Sequence, residues 1–173
     1  MRKAGTYIAQ NSVLWRIFLV VFLIYVSVGI YFGRDFSLIS GVNLVIHEAG
    51  HVLFMPFGLM MMTFGGTLLQ LFVPSVFLGY FVRRKDYFAS AFMLWWLGEN
   101  LTNVSIYVAD ANAQVLPLLG NGGHDWYMLL SMWNLLAQDQ LIADLLWHSG
   151  VMLILTGIMW ALMYSHKSIK RKM

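Results

Sequence analysis

Four or five stretches of this chain are each about 20 residues long and mostly apolar, the length a helix needs to cross hydrocarbon. They run approximately from Val13 to Phe32, Val42 to Met62, Thr63 to Val82, Tyr87 to Val108 and Leu141 to Tyr164. Hydrocarbon offers the backbone no hydrogen-bonding partner, so only helices or closed barrels cross it. Strand-like alternation is absent, which argues against a barrel. The expected fold is therefore all-α, a polytopic transmembrane bundle of four to five spanning helices. Charge supports this, since 11% of residues are charged against about a quarter in soluble domains. With Glu48 and Glu99 as its two glutamates, the chain lacks the polar coat that a water-facing core requires. A lipid bilayer is the expected surrounding, and the lack of repeats or linkers makes residues 1–173 a single integral membrane domain.

The second and third stretches follow each other almost without a polar linker, and Pro56 and Gly58 interrupt the second. Either is expected to kink or to span only partly. Between Asp110 and Gln140, Pro117 and Gly120-Asn121-Gly122-Gly123 mark a loop. The aromatic stretch Trp126 to Gln138 suits a short interfacial helix. The first apolar run follows Arg2 and Lys3, but it carries Arg16 and no small-x-small cleavage pattern follows it, so it reads as a retained helix.

The formal net charge of +3 sits in Arg83-Arg84-Lys85 and in a tail with Lys167, Lys170, Arg171 and Lys172. Flanking apolar runs, these clusters read as membrane anchors and exclude a nucleic-acid interface. The positive-inside rule puts both, and so the basic C-terminal tail, in the cytoplasm of a multi-pass protein. Cysteine is absent, which removes disulfides and thiolate ligands. Two topologies remain. If all five stretches cross, His47 lies near the cytoplasmic end, far from the His124 loop. If the broken region from Val42 to Val82 crosses once, both share the outer side.

The chemistry concentrates in His47-Glu48-Ala49-Gly50-His51. This spacing sets two imidazoles one helical turn apart, able to chelate one tetrahedral ion, Zn2+ or another divalent metal. Glu48 beside the first ligand is placed to take a proton from a water polarised by that ion. Three ionisable side chains within five positions of an apolar helix are costly and so point to function. The bland reading is that the imidazoles merely hydrogen-bond neighbouring helices.

HEAGH resembles the zinc motif of the zincin metallopeptidases, and its place in a hydrophobic helix is similar to the membrane-embedded site-2 protease type. The resemblance covers this motif and the multi-pass character. It implies that His47 and His51 bind the metal and that Glu48 is the general base. It also implies an aspartate as third ligand from a later Asp-Gly type motif, and no Asp-Gly pair occurs in this chain.

A catalytic zinc site needs a third protein ligand. The first choice is His124 on the glycine-rich loop, and the carboxylate of Asp125 beside it is an alternative that the same loop can bring onto the ion. Glu99, Asn100, Asn103, Tyr107 and Asp110 form a polar stripe on the fourth stretch, expected to face HEAGH. Asp110 or Glu99 is an alternative ligand, and Asn100 and Asn103 suit hydrogen bonds to a ligand or to other helices. Asp144 and His148 lie one turn apart on the last helix, as an orienting pair or a simple interhelical contact. Met60-Met61-Met62 reads as packing.

Two classes of function follow. One is a zinc-dependent hydrolase, a peptidase acting on a peptide or transmembrane-helix substrate. The other is a non-catalytic metal protein: a sensor, a transporter or an inactive peptidase-like scaffold. Haem is disfavoured, because two histidines one turn apart cannot reach opposite faces of one ring.

Overall fold

The computed structural model describes residues 2–32, 38–117 and 123–165, with side chains over 13–32, 39–117 and 123–165. Every regular element among them is helical: α1 (Arg2–Tyr31), α2 (Leu38–Phe54), α3 (Leu59–Arg83), α4 (Tyr87–Ala109), α5 (Asp125–Met132) and α6 (Asp139–Ser165). Three helices are long and apolar enough to cross a membrane, over Val13–Tyr31, Leu59–Arg83 and Leu136–Ser165. The sequence count of four to five is not reached on that measure, for two separate reasons. Helix α2 has 17 residues, about 25 Å at 1.5 Å per residue, and it ends early. The chain breaks there into a 3-10 turn at Met55–Phe57, and Gly58 turns at φ 91° before α3 begins. Pro56 has no N–H to continue the helix, and the positive φ suits glycine. Helix α4 has 23 residues but carries the polar stripe, which lowers its hydropathy.

That stripe explains where α4 sits. It packs against α1, α3, α5 and α6, and Ser90, Glu99, Asn100, Thr102 and Ser105 are all buried along it. Most of these groups find partners inside: Thr102 and Ser105 donate to main-chain carbonyls of their own helix, and Asn43 of α2 donates to Glu99 Oε2. The Trp96 indole donates to Asn43 Oδ1 at 2.8 Å, and the Trp95 indole donates to Ser27 of α1 at 2.9 Å. The apolar side chains take the opposite place. Leu145, Met152, Leu155 and Met159 of α6, with Trp15, Phe18 and Val21 of α1, project outward, as a surface solvated by lipid requires.

Helices α4 and α6 approach most closely through glycine. A Cβ on Gly98 would lie 2.6 Å from the Gly150 carbonyl oxygen, and one on Gly150 would lie 2.7 Å from that of Gly98. Such small-residue crossings replace the hydrophobic effect as the source of helix association in lipid.

The ends of the bundle differ. At one end Arg16 donates to the Tyr164 carbonyl at 3.3 Å and lies over the Phe88 ring, joining the start of the α1 span to the end of α6 and the start of α4. The turn carrying Arg83, Arg84 and Lys85 leads into α4 here, with Asp86 capping the helix by accepting from the Ala89 N–H. At the other end lie the α2–α3 turn, the last turn of α4, α5 and the start of α6. His47 and the 124–125 segment therefore share one end of the bundle. The basic tail lies outside the described residues. The expected interfacial helix is shorter than its sequence signal: α5 ends at Met132, and a 3-10 turn follows at Leu136–Gln138. It buries Trp126, Leu129 and Leu130 against Val104, Val108 and Ala143, while Tyr127 and Trp133 stay exposed.

The glycine crossing makes a direct prediction. Gly150→Leu should destabilise the bundle by roughly 1–3 kcal/mol or more through overpacking, seen as a lower thermal midpoint of the helical signal in detergent. Gly79→Leu is the control, because a Cβ there meets nothing within 4 Å; equal midpoints for the two variants would contradict the crossing.

Candidate metal centre

Helix periodicity places His47 and His51 on one face of α2, and α3 turns that face inward. The two helices cross at Gly50, Gly65 and Gly66, so closely that a Cβ on Gly50 would collide with the Gly65 carbonyl oxygen. At this separation the His47 ring lies directly over Gly66. The two imidazoles stand edge to face, with centroids 4.8 Å apart.

Each ring is oriented from behind. His47 Nδ1 lies 3.1 Å from Gln70 Oε1, and Gln70 Nε2 in turn donates to Asn103 Oδ1 at 3.0 Å. His51 Nδ1 lies 2.9 Å from the Met62 carbonyl oxygen. A carbonyl oxygen only accepts, so each Nδ1 carries a proton and each Nε2 is the nitrogen left to face Asp125. Both Nε2 atoms converge on Asp125 Oδ2, at 3.1 Å from His47 and 3.2 Å from His51. The three ligand atoms lie within 4.8 Å of one another. Zinc–nitrogen and zinc–oxygen bonds of 2.0–2.2 Å would give a tetrahedron edge of about 3.4 Å, close to both nitrogen–oxygen separations.

Each Nε2 can serve Asp125 Oδ2 as an N–H donor, and a single cation that replaced those protons would satisfy all three atoms together. Burial works to raise the Asp125 carboxyl, but hydrogen bonding from His47 and His51 outweighs it and brings the pKa down to about 2. Asp125 is therefore anionic at neutral pH, as an oxygen ligand must be.

Asp125 completes the group of three side chains that could hold an ion, and the first choice from sequence, His124, stands elsewhere. His124 is the N-cap of α5, where its Nδ1 accepts from the Tyr127 N–H at 3.2 Å, and its Nε2 faces Asp110 Oδ2 at 3.3 Å. Both ring nitrogens are turned toward α4 and α5. Its neighbour, the first residue of α5, points to α2 instead.

Asp110 is likewise occupied, accepting from the Val115 and Leu116 N–H groups at 2.9 and 3.1 Å. Glu99 is held by Asn43, one turn before His47, and Asn100 donates to the Trp96 carbonyl at 2.8 Å. Asn103 reaches the centre only through Gln70. His148 is exposed and bonds the main-chain oxygen of Asp144 rather than its carboxylate. Neither belongs to the group. Glu48 is exposed on α2, about 100° around the helix from His47 and about 60° from His51.

Three contributors were missed in the sequence: Asn43, Gln70 and the Met62 carbonyl. Asn43 and Gln70 carried a signal, each a lone amide in an apolar run, where polar side chains are expensive. The Met62 carbonyl carried none, since its freedom to accept depends on the turn before α3.

Compared with protein families, curated proteins and solved structures, the chain matches none of them.

The Gly66 contact yields a test of the centre. A Cβ at that position would lie 2.6 Å from His47 Nε2 and 2.8 Å from Cε1, closer than any ordinary contact. Gly66→Ala should displace the ring and lower bound metal by about tenfold or more, while circular dichroism still reports a helical protein. Full metal content in that variant would contradict the placement of His47.

Proposed function

We propose that this chain is a membrane-embedded, zinc-dependent hydrolase, with a peptide bond in or beside a membrane segment as its substrate. The observation that carries the reading is the approach of two imidazole Nε2 atoms, 3.1 and 3.2 Å away, to one carboxylate oxygen of Asp125. Two histidines and an aspartate leave the fourth tetrahedral position open, as catalytic rather than structural zinc sites do. A bound zinc ion supplies Lewis-acid polarisation of water and of a substrate carbonyl.

The chain's own residues supply the rest. Glu48 follows His47 directly and is exposed on the same helix, so its carboxylate is free to take a proton from the attacking water and return it to the leaving amine. Asp125 contributes one negative charge and the imidazoles none. The donor set therefore leaves a divalent ion a net positive charge, which favours its action on a carbonyl. This donor set is also the one that the resemblance to site-2 proteases implies, with the aspartate arriving through His124-Asp125 in place of an Asp-Gly pair.

In this reading α4 crosses the membrane with the three apolar helices, shielded by them, and α2 is a re-entrant helix. Four crossings put the basic tail and the Arg83-Arg84-Lys85 turn together in the cytoplasm. The metal centre then lies at the opposite boundary, within reach of both water and a membrane-borne chain. Helix α5, with Tyr127 and Trp133 exposed, lies in the headgroup zone beside it.

Metal analysis of the purified protein tests the proposal together with two variants. The wild type should hold about one zinc ion per chain and His47→Ala much less, because a histidine pair and one carboxylate make the site. Glu48→Gln should keep the metal and lose at least about a hundredfold in peptide cleavage, as removal of a general base does. Cleavage by Glu48→Gln at the wild-type rate would remove Glu48 from the reaction. Absence of metal from the wild type would remove the centre.

Acidification offers a second measurement. Imidazoles ligate only when neutral, so zinc affinity should fall as pH drops through the histidine range and recover on return to neutrality. Metal retention unchanged at pH 5 would show that the histidines are not ligands.

A further inference from the structure

Asp125 reaches the histidine pair from a separate helix, and that helix begins directly after a loop. Something must hold its first turn in place, because a carboxylate on an unrestrained segment would not stay at 3.1 Å from His47 and 3.2 Å from His51. The last turn of α4 does this. Tyr107 and Asp110 stand on one face of it, three residues apart. The Tyr107 hydroxyl accepts from the Asp125 main-chain N–H at 3.1 Å. The Tyr107 ring lies against the His124 ring, with centroids 4.2 Å apart.

His124 is 2% exposed and works in two directions. Its Nδ1 caps α5 by accepting from the Tyr127 N–H, which leaves its proton on Nε2. That Nε2 lies 3.3 Å from Asp110 Oδ2 and has no other partner among the described residues. Asp110, 6% exposed, gathers the incoming chain with its two oxygens through the N–H groups of Val115 and Leu116. A buried histidine facing a buried carboxylate is costly in an apolar bundle. Neither residue enters the group of three ligand atoms.

We infer that Asp110, His124 and Tyr107 form a latch that sets metal affinity from outside the coordination sphere, by fixing the first residue of α5 so that Asp125 meets His47 and His51. These are positioning residues. The inference rests on the proposed metal centre and adds its control: two ligands come preassembled on α2, and the third is delivered by the α4–α5 junction. Loss of the latch leaves the histidine pair intact and frees the carboxylate. The protein then keeps a weak two-nitrogen site.

Cobalt binding to the full chain in detergent tests this, because the visible absorption of Co2+ reports the number and type of its ligands. His124→Ala and Asp110→Ala should weaken Co2+ binding about 10- to 100-fold, the usual effect of removing an outer partner of a ligand. Their cobalt spectra should match that of Asp125→Ala, with helical content unchanged. His124→Asn, which keeps an N-cap acceptor, should regain most of the lost affinity; a merely structural role for the ring would give no such rescue by a smaller side chain. Should alanine at position 110 unfold the protein, Asp110→Asn keeps one acceptor oxygen and should still weaken binding several-fold.

The outcomes separate the two readings. Wild-type affinity and spectrum in His124→Ala and Asp110→Asn, with both altered in Asp125→Ala, would overturn the latch and leave the metal centre standing. A wild-type spectrum in Asp125→Ala would overturn both.

Discussion

Inside a bilayer there is no water to satisfy a polar group, and each one must find its partner within the protein. Helix α4 carries more such groups than any lipid-facing helix tolerates, so it occupies the centre. There Asn43 reaches Glu99, Gln70 reaches Asn103, and Ser27 receives the Trp95 indole. The surrounding helices turn their polar residues toward α4 and their apolar residues to lipid. The same rule that makes the outside greasy therefore makes the inside wet in character, and this interior polarity is where a metal centre can be built.

The centre itself depends on closeness. Histidines on α2 lie against α3 only because Gly50, Gly65 and Gly66 let two backbones approach within a side chain's thickness. At that distance a backbone oxygen of α3 and the Gln70 amide orient the two rings, fixing which nitrogen keeps its proton. Orientation from behind sets what faces forward, since it leaves both Nε2 atoms aimed at Asp125.

The three residues that could hold an ion come from two parts of the chain, with His47 and Asp125 78 residues apart. The α2 pair is local and rigid, whereas Asp125 depends on the docking of α5 against α4. Trp126, Leu129 and Leu130 bury that helix in the core, and the Asp110–His124 couple sets its entry. Stability of the bundle and strength of the site are thereby linked through one short helix. The uneven charge of the two ends adds direction, with the arginine-bearing turn at one and Asp110 and Asp125 at the other.

Much of this was legible in the residues. Hydrophobicity is additive along a segment, so apolar length alone declared a helical bundle in lipid, and the 3.6-residue period alone put His47 and His51 on one face. The polar stripe of α4 announced an inward-facing helix for the same reason. What neighbouring residues do at a helix start is different, because side chains one position apart point in directions about 100° apart. Whether His124 or Asp125 faced the histidine pair therefore rested on how α5 docks, and the docking turned Asp125 inward and left His124 on Asp110. The fate of α2 was decided likewise, since a proline and a glycine mark a break without saying whether the chain continues through the membrane or folds back. Local sequence determined the helices and the chelating pair; only the packing of α4 with α2, α3 and α5 decided which carboxylate completes the site.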